Sequence, residues 1–339
     1  MSTRASVRHN IRRRHLERDL RRTVVRGLVL LTLSLAVLGM SRGPVPGSMV
    51  ELADGSGHRL PRFEASGIAC FRGHLIVVDD TLNSLFVFDR TGRLSHDIES
   101  DRFPHPRAKF EGLAVDAPRG RVFVAGSHTG WDQESLENSS LLLRAHLEER
   151  AGKLAVDESS VIRLPLWRSF ERLGLWKPGG MKVEGLAYDP AKDHLYIGLR
   201  EPHDRARIYR VRAGQLADPE GEPPPLEELV SFDAGRAGAT PFSISALLWL
   251  PARDGLLILT STENDTTHEF LGNRLWYSSE ANGVKLVKDT FDRGRKAEGL
   301  ALGDGELFIA YDNDQDDTGL PSQLRQVPWE LLSRELPQT

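Results

Sequence analysis

The sequence predicts an all-β fold, a β-propeller of four-stranded blades, on three observations. The first is a short pattern in five copies: Ser66-Gly67-Ile68-Ala69, Glu111-Gly112-Leu113-Ala114, Glu184-Gly185-Leu186-Ala187, Ser245-Ala246-Leu247-Leu248 and Glu298-Gly299-Leu300-Ala301. The second is an apolar run after each copy, beginning 8 or 10 residues beyond the second pattern residue. These runs are Leu75–Val78, Val122–Ala125, Leu195–Gly198, Leu256–Leu259 and Leu307–Ala310. The third is the spacing of the copies, 45 residues between the first two and 73 between the next. Repeats of about 40 to 50 residues built from short strands mark a propeller.

A chain of 339 residues can hold one large β-domain or two smaller ones. The repeats cover almost everything after residue 60, so one domain is expected, residues 43–335. Within each unit the pattern is the first strand and the apolar run the second. Third strands are expected at Leu85–Phe88, Leu141–Arg144, Ile208–Val211, Leu275–Tyr277 and Leu324–Val327. Fourth strands are expected near Leu94 and at Val161–Leu164, Leu229–Phe232 and Leu286–Lys288. The fifth unit runs out of chain, and Met49–Leu52 can supply its outer strand and protect the ring's edges. Five blades are counted. A sixth is possible if an insertion, Gly130–Ser140 or Trp167–Lys182, hides a degenerate blade.

Residues 1–42 have a different character. They contain ten Arg against Glu17 and Asp19 alone, while the remainder carries a net charge of −12. The arginines precede a 14-residue apolar run, Gly27–Met40. A membrane span needs about 20 residues, so this length suits a signal segment, with a retained anchor as the alternative. Either places the body outside the cytoplasm, periplasmic or extracellular, touching a membrane only through this segment. An acidic body is a poor partner for nucleic acid, whose phosphates need Lys and Arg. A small polar ligand or a divalent cation suits it better, and a monomer is expected. The single cysteine, Cys70, leaves no internal disulfide framework and reads as a core residue.

The functional residues follow from topology. The start of a first strand and the end of the antiparallel second strand lie on one face of a blade. The starts are Ser66, Glu111, Glu184, Ser245 and Glu298. The ends carry Asp79-Asp80, Ser127-His128, Arg200, Ser261 to Glu263 and Tyr311-Asp312. Both sets should converge on one mouth of the channel. Carboxylates so gathered raise one another's pKa or recruit a cation. Glu111, Glu184, Glu298, Asp80 and Asp312 are therefore the candidate ligands of a divalent metal such as Ca²⁺, which accepts about 6–8 oxygens. Glu111, Glu184, Arg200 and His128 are the candidate catalytic residues. A carboxylate or metal-bound water would act as base, and Arg200 or His128 would steady developing negative charge. The glutamates can instead cap backbone amides of the next blade, with no ligand. The acidic run from Asp312 to Asp317 lacks the remaining spacing of a calcium loop and reads as solvated loop apart from Asp312. The chain has no Gly-x-Ser-x-Gly elbow, P-loop, His-Glu-x-x-His or dinucleotide-binding Gly-x-Gly-x-x-Gly.

The phrases Phe110-Glu111-Gly112-Leu113-Ala114-Val115, Ala125-Gly126-Ser127-His128-Thr129 and Val183-Glu184-Gly185-Leu186-Ala187-Tyr188, with Gly198-Leu199-Arg200-Glu201-Pro202, resemble an uncharacterised bacterial β-propeller family, domain of unknown function 3616. Lys296-Ala297-Glu298-Gly299-Leu300-Ala301 and Tyr311-Asp312 are similar to its closing repeat. The resemblance covers about residues 62–330. More distantly, the Glu-Gly-Leu-Ala repeats resemble the esterase-like phytase propellers. That likeness implies hydrolysis of phosphate or other esters at the channel mouth. The alternative is a non-catalytic propeller that binds a ligand or a protein.

Overall fold

The computed structural model describes residues 47–337 apart from 61, 105–107, 131, 178–179, 203, 217, 265 and 313–318. The expected signal or anchor segment at 1–42 and the acidic run after Asp312 lie outside the described residues. The chain divides into two units, Met1–Gly43 and Pro44–Thr339, and the second is a five-bladed β-propeller. Blade 1 is β2 (Ala65–Phe71), β3 (His74–Asp79), β4 (Leu85–Phe88) and β5 (Leu94–Ile98). Blade 2 is β6 (Phe110–Asp116), β7 (Arg121–Gly126), β8 (Leu142–Arg150) and β9 (Lys153–Leu164). Blade 3 is β10 (Lys182–Asp189), β11 (His194–Glu201), β12 (Ala206–Arg212) and β13 (Glu227–Phe232). Blade 4 is β16 (Ser243–Leu250), β17 (Gly255–Glu263), β18 (Phe270–Ser279) and β19 (Gly283–Phe291). A two-stranded ribbon, β14 (Arg236–Ala237) with β15 (Thr240–Pro241), precedes it.

Blade 5 joins the two ends of the ring. Its inner strands are β20 (Lys296–Gly303), β21 (Glu306–Asp312) and β22 (Gln323–Pro328), and its outer strand is β1 (Ser48–Glu51). β1 runs antiparallel to β22, with Ser48 opposite Gln326 and Glu51 opposite Gln323. Leu52 follows it into the seam between blades 5 and 1, beside Phe63, Leu75 and Phe308.

Two kinds of strand follow from position. The first and second strands of each blade are packed on both faces, so they read as near-continuous apolar runs. The outer strands β9 and β19 mix buried and exposed residues because their second face meets water. The core is accordingly five clusters, one in each seam between neighbouring blades.

The long insertions do not build a sixth blade. Gly130–Ser140 contains α1 (Gln133–Ser139), started by a reciprocal capping pair between Asp132 and Ser135. Trp167–Lys182 contains α2 (Trp167–Arg172), which buries Phe170 in the seam between blades 2 and 3. A last helix, α3 (Trp329–Ser333), follows β22. Among the described residues no helix is long and apolar enough to cross a membrane.

Candidate functional site

Every first strand carries a β-bulge at its polar repeat residue. In blade 2, Phe110 faces Gly126 and Gly112 faces Ala125, which leaves Glu111 as the extra residue. The same shift sets apart Glu184, Ser245 and Glu298. In blade 1, Ser66 and Gly67 together stand opposite Val78. A bulge bends the strand locally and re-aims a side chain. Repeated five times around the axis, it gathers the five polar residues. The following glycine answers a second demand, close approach of the next blade. A Cβ on Gly67 would lie 2.5 Å from the Glu111 carbonyl oxygen, and one on Gly112 would lie 2.8 Å from Leu186 Cγ.

The gathered side chains form one buried ionic cluster. Arg200 Nη1 lies 3.4 Å from Glu184 Oε1 and 3.5 Å from Glu298 Oε1. Lys296 Nζ lies 2.6 Å from Glu298 Oε1 and 3.7 Å from Asp312 Oδ2. The Ser66 hydroxyl donates to Glu111 Oε2 at 2.5 Å. Glu111, Glu184 and Glu298 are all buried, and Glu184 Oε2 has no hydrogen-bond partner among the described residues.

The charges do not balance, and protons make up part of the difference. Burial pushes the Glu111 carboxyl well above the usual carboxylate range, and the fields of Glu184, Asp80 and Glu298 push the same way. Glu184 is also raised by burial, against the pull of Arg200. Glu64, on the lip of blade 1, is pushed up to about 9 by burial and by its hydrogen bond with Asp80. Burial opposes the charges of Arg200 and Lys296, but the surrounding carboxylates raise both pKa values. At neutral pH the mouth therefore holds fixed cations, ionised carboxylates and the proton on Glu64, with Glu111 biased toward its protonated form.

Glu111, Glu184, Glu298, Asp80, Asp312 and Arg200 thus come together as their sequence positions predict. His128 does not join them. Its backbone is left-handed, with φ 64°. Its Nδ1 lies 2.9 Å from the Gly126 carbonyl oxygen, and its ring packs edge-on against Phe170 and Trp176. Burial lowers its pKa to about 4. The turn after β7, and the helical insertion it packs against, carry it away from the axis. Asp79 turns aside as well: its carboxylate accepts from the backbone N–H groups of Glu64, Thr81 and Leu82 and so fixes a turn.

Two participants, Lys296 and Glu64, stand outside the repeat's polar position and the second-strand ends. The signal was there, two residues before each repeat's polar position: Glu64, Lys109, Lys182, Ser243 and Lys296. Lys296 stands directly opposite Asp312 and Lys182 opposite Glu201, so each pairs across its blade. Among the described residues no three His, Cys, Asp or Glu side chains gather as ligands of one metal ion. Arg200 stands between Glu184 and Glu298, where a shared cation would otherwise sit.

No family model matches the chain, and no curated protein matches it. Solved structures do. One is a Thermus thermophilus protein described as an oxidoreductase, glucose dehydrogenase: 14% identical, TM-score 0.46, spanning 83% of this chain and all of its own. Another is glutaminyl cyclase from Myxococcus xanthus: 11% identical, TM-score 0.41, spanning 84% of this chain and 97% of its own. The chain is a β-propeller by its own five sheets, with distant likeness to these proteins, and its resemblance to domain of unknown function 3616 rests on the quoted motifs.

Proposed function

We propose that the axial mouth binds a small polar molecule, neutral or cationic, and exchanges protons with it. The observation that carries this is Glu184. One of its oxygens is held by Arg200 and the other is buried without a partner, close enough to Glu111 for the field of Glu184 to push that carboxyl's pKa up. A fixed carboxylate with a raised pKa, near a second, protonated one, is an acceptor facing a donor. Glu184 would activate a water, Glu111 would protonate a leaving group, and Arg200 would stabilise negative charge that develops. This chemistry suits hydrolysis of a neutral carboxylic ester or lactone. A phosphate ester fits less well, because its charge would meet excess carboxylate and the two cations are already paired.

The assay is turnover of carboxylic esters, lactones and phosphomonoesters between about pH 5 and 10, with and without divalent ions. Glu184→Gln and Glu111→Gln should each reduce turnover at least about a hundredfold, and Glu111→Gln, which removes a carboxyl whose ionised form burial disfavours, should leave the melting temperature unchanged or higher. Because Glu64 releases its proton near pH 9, ligand affinity should change there in the wild type and not in Glu64→Gln. Turnover untouched by both glutamine variants overturns the catalytic reading. No turnover on any class leaves a binding propeller, whose ligand should raise the melting temperature in the wild type and not in Glu184→Gln.

Calcium at the same carboxylates is the competing reading. A metal ion would displace the protons on Glu111 and Glu64, so its binding would strengthen with pH. EDTA and added Ca²⁺ that leave the melting curve unchanged from about pH 6 to 9 exclude it. The arginines and apolar run of residues 1–42 support export, which a reporter active only outside the cytoplasm, fused after Thr339, tests directly.

A further inference from the structure

The channel has a second end, and its chemistry is the opposite of the first. The five first strands continue past the ionic cluster into rings of apolar side chains. Ile68, Leu113, Leu186, Leu247 and Leu300 occupy equivalent places, one per blade, and bound a cavity of 360 Å³. Beyond them Trp249 forms part of the wall, and the turn residues Pro118, Pro190 and Pro251 form the rim. Trp249 is fixed by stacking on Tyr196, with ring centroids 5.3 Å apart. An aliphatic cavity of about 150 Å³ stays dry and accepts benzene, and small-molecule pockets begin near about 300 Å³. A cavity of this size and lining therefore favours an apolar guest over water.

The rim adds a charge preference. The turns joining first to second strands carry Arg72, Arg119, Lys192 and Arg253 in four of the five blades. Arg119 pairs with Asp116, and Lys192 with Asp254. Arg72 lies over the Phe71 ring, and Arg253 donates to the main-chain carbonyls of Ser333 and Pro337. Neither of these last two guanidiniums pairs with a carboxylate among the described residues, and Lys192 Nζ lies 5.7 Å from the centroid of the Trp249 ring on the cavity wall. In the fifth turn, Asp304 is neutralised by Arg90.

We propose that this end of the channel binds a single-chain anionic amphiphile, a free fatty carboxylate, with its alkyl chain along the axis and its head at the basic rim. The site is separate from the ionic mouth, and the proposal does not depend on the function assigned there.

Cys70 supplies the probe. It is the only cysteine in the chain, it lines the cavity wall, and it is partly exposed. Burial pushes its thiol pKa up to about 12, so alkylation is slow and sensitive to what covers it. The experiment measures the rate of maleimide addition to Cys70 in the full chain, below the critical micelle concentration, with decanoate, decanol or phosphatidylglycerol vesicles added. Decanoate should slow the reaction at least tenfold, decanol less at equal concentration, and vesicles not at all. Leu248→Glu, on the half-buried wall, should abolish the protection. Should that variant fail to fold, Arg72→Gln on the exposed rim serves instead and should weaken decanoate several-fold while leaving decanol unchanged. Absence of protection by decanoate overturns the site. Equal protection by decanol overturns the anionic head, and protection by vesicles would make this end a membrane contact instead.

Discussion

Arg200 is the residue on which the axial cluster turns, and its removal is a quantitative test of the charge argument. Its guanidinium serves Glu184 at 3.4 Å and Glu298 at 3.5 Å, and both carboxylates are at most 4% exposed. Arg200→Leu leaves Glu298 with Lys296, 2.6 Å away, and takes from Glu184 the cation that pairs with it. Breaking a buried pair from one side costs about 3–5 kcal/mol, mostly the stranded charge. That cost depends on pH in a defined direction. Glu184 already has a folded pKa above its unfolded value, and losing Arg200 raises it further. The protonated form is then the one the fold tolerates, so stability is retained below the unfolded pKa and falls as pH rises through the folded one. Urea unfolding of wild type and Arg200→Leu should show a deficit of about 3–5 kcal/mol at about pH 8, shrinking markedly at about pH 5. Adding Glu184→Gln to Arg200→Leu should restore most of the loss at the higher pH. A deficit that is equal at both pH values, or that Glu184→Gln does not repair, would mean that Arg200 acts by packing and that the cluster is not held by charge.

Other expectations follow from the same structure. A chain beginning at Leu52 lacks β1 and its ladder to β22; about three or four lost hydrogen bonds at about 1 kcal/mol each should lower the melting temperature by on the order of 10 °C. An unchanged melting temperature would show that β22 needs no partner there. His128 has a folded pKa of about 4 against 6.5 unfolded, so its contribution is complete above pH 6.5 and declines toward pH 4. The loss should reach about 3 kcal/mol, and His128→Phe should remove that acid sensitivity. A His128 resonance titrating near 6.5 by NMR would contradict its burial.

The fold was legible because a propeller repeats its constraints. Each first strand must be apolar on both faces, must begin with a residue that can stand at the axis, and must follow it with a small residue where the next blade approaches. Five recurrences of that triple demand separate it from chance, and the outer strand Ser48–Glu51 could be sought because an unpaired β22 would leave an open edge. The site was legible in part for the same reason. Glu111, Glu184 and Glu298 occupy one repeat position, so placing one places the others. His128 escapes the repeat's logic because its local chain departs from the repeat. It lies after a second strand and before the 130–140 insertion, where left-handed backbone and aromatic packing decide its direction. Lys296 and Glu64 carry a weaker signal because their position varies in sign among the blades.

That variation in sign is itself informative. Three blades place lysine two residues before glutamate, blade 1 places Glu64 before Ser66, and blade 4 places Ser243 before Ser245. A ring in which every blade carried both lysine and glutamate would neutralise itself and be a structural plug. Here blade 1 supplies a carboxyl in place of the cation, and Asp80 adds another beside it. Blade 4 supplies two hydroxyls, and Ser245 Oγ is buried without a hydrogen-bond partner among the described residues. Blades 1 and 4 therefore offer carboxyl and hydroxyl groups at the positions where the repeat elsewhere supplies cation and carboxylate. Blade 4 lies between the Arg200-held Glu184 of blade 3 and the Lys296-held Glu298 of blade 5, and blade 1 lies between blade 5 and the Glu111 of blade 2. Asymmetry of this kind is unnecessary for a ring that only has to close. It sets the carboxylates of blades 3 and 5, each beside a buried cation, apart from Glu64 and Glu111 of blades 1 and 2, whose carboxyls burial pushes up.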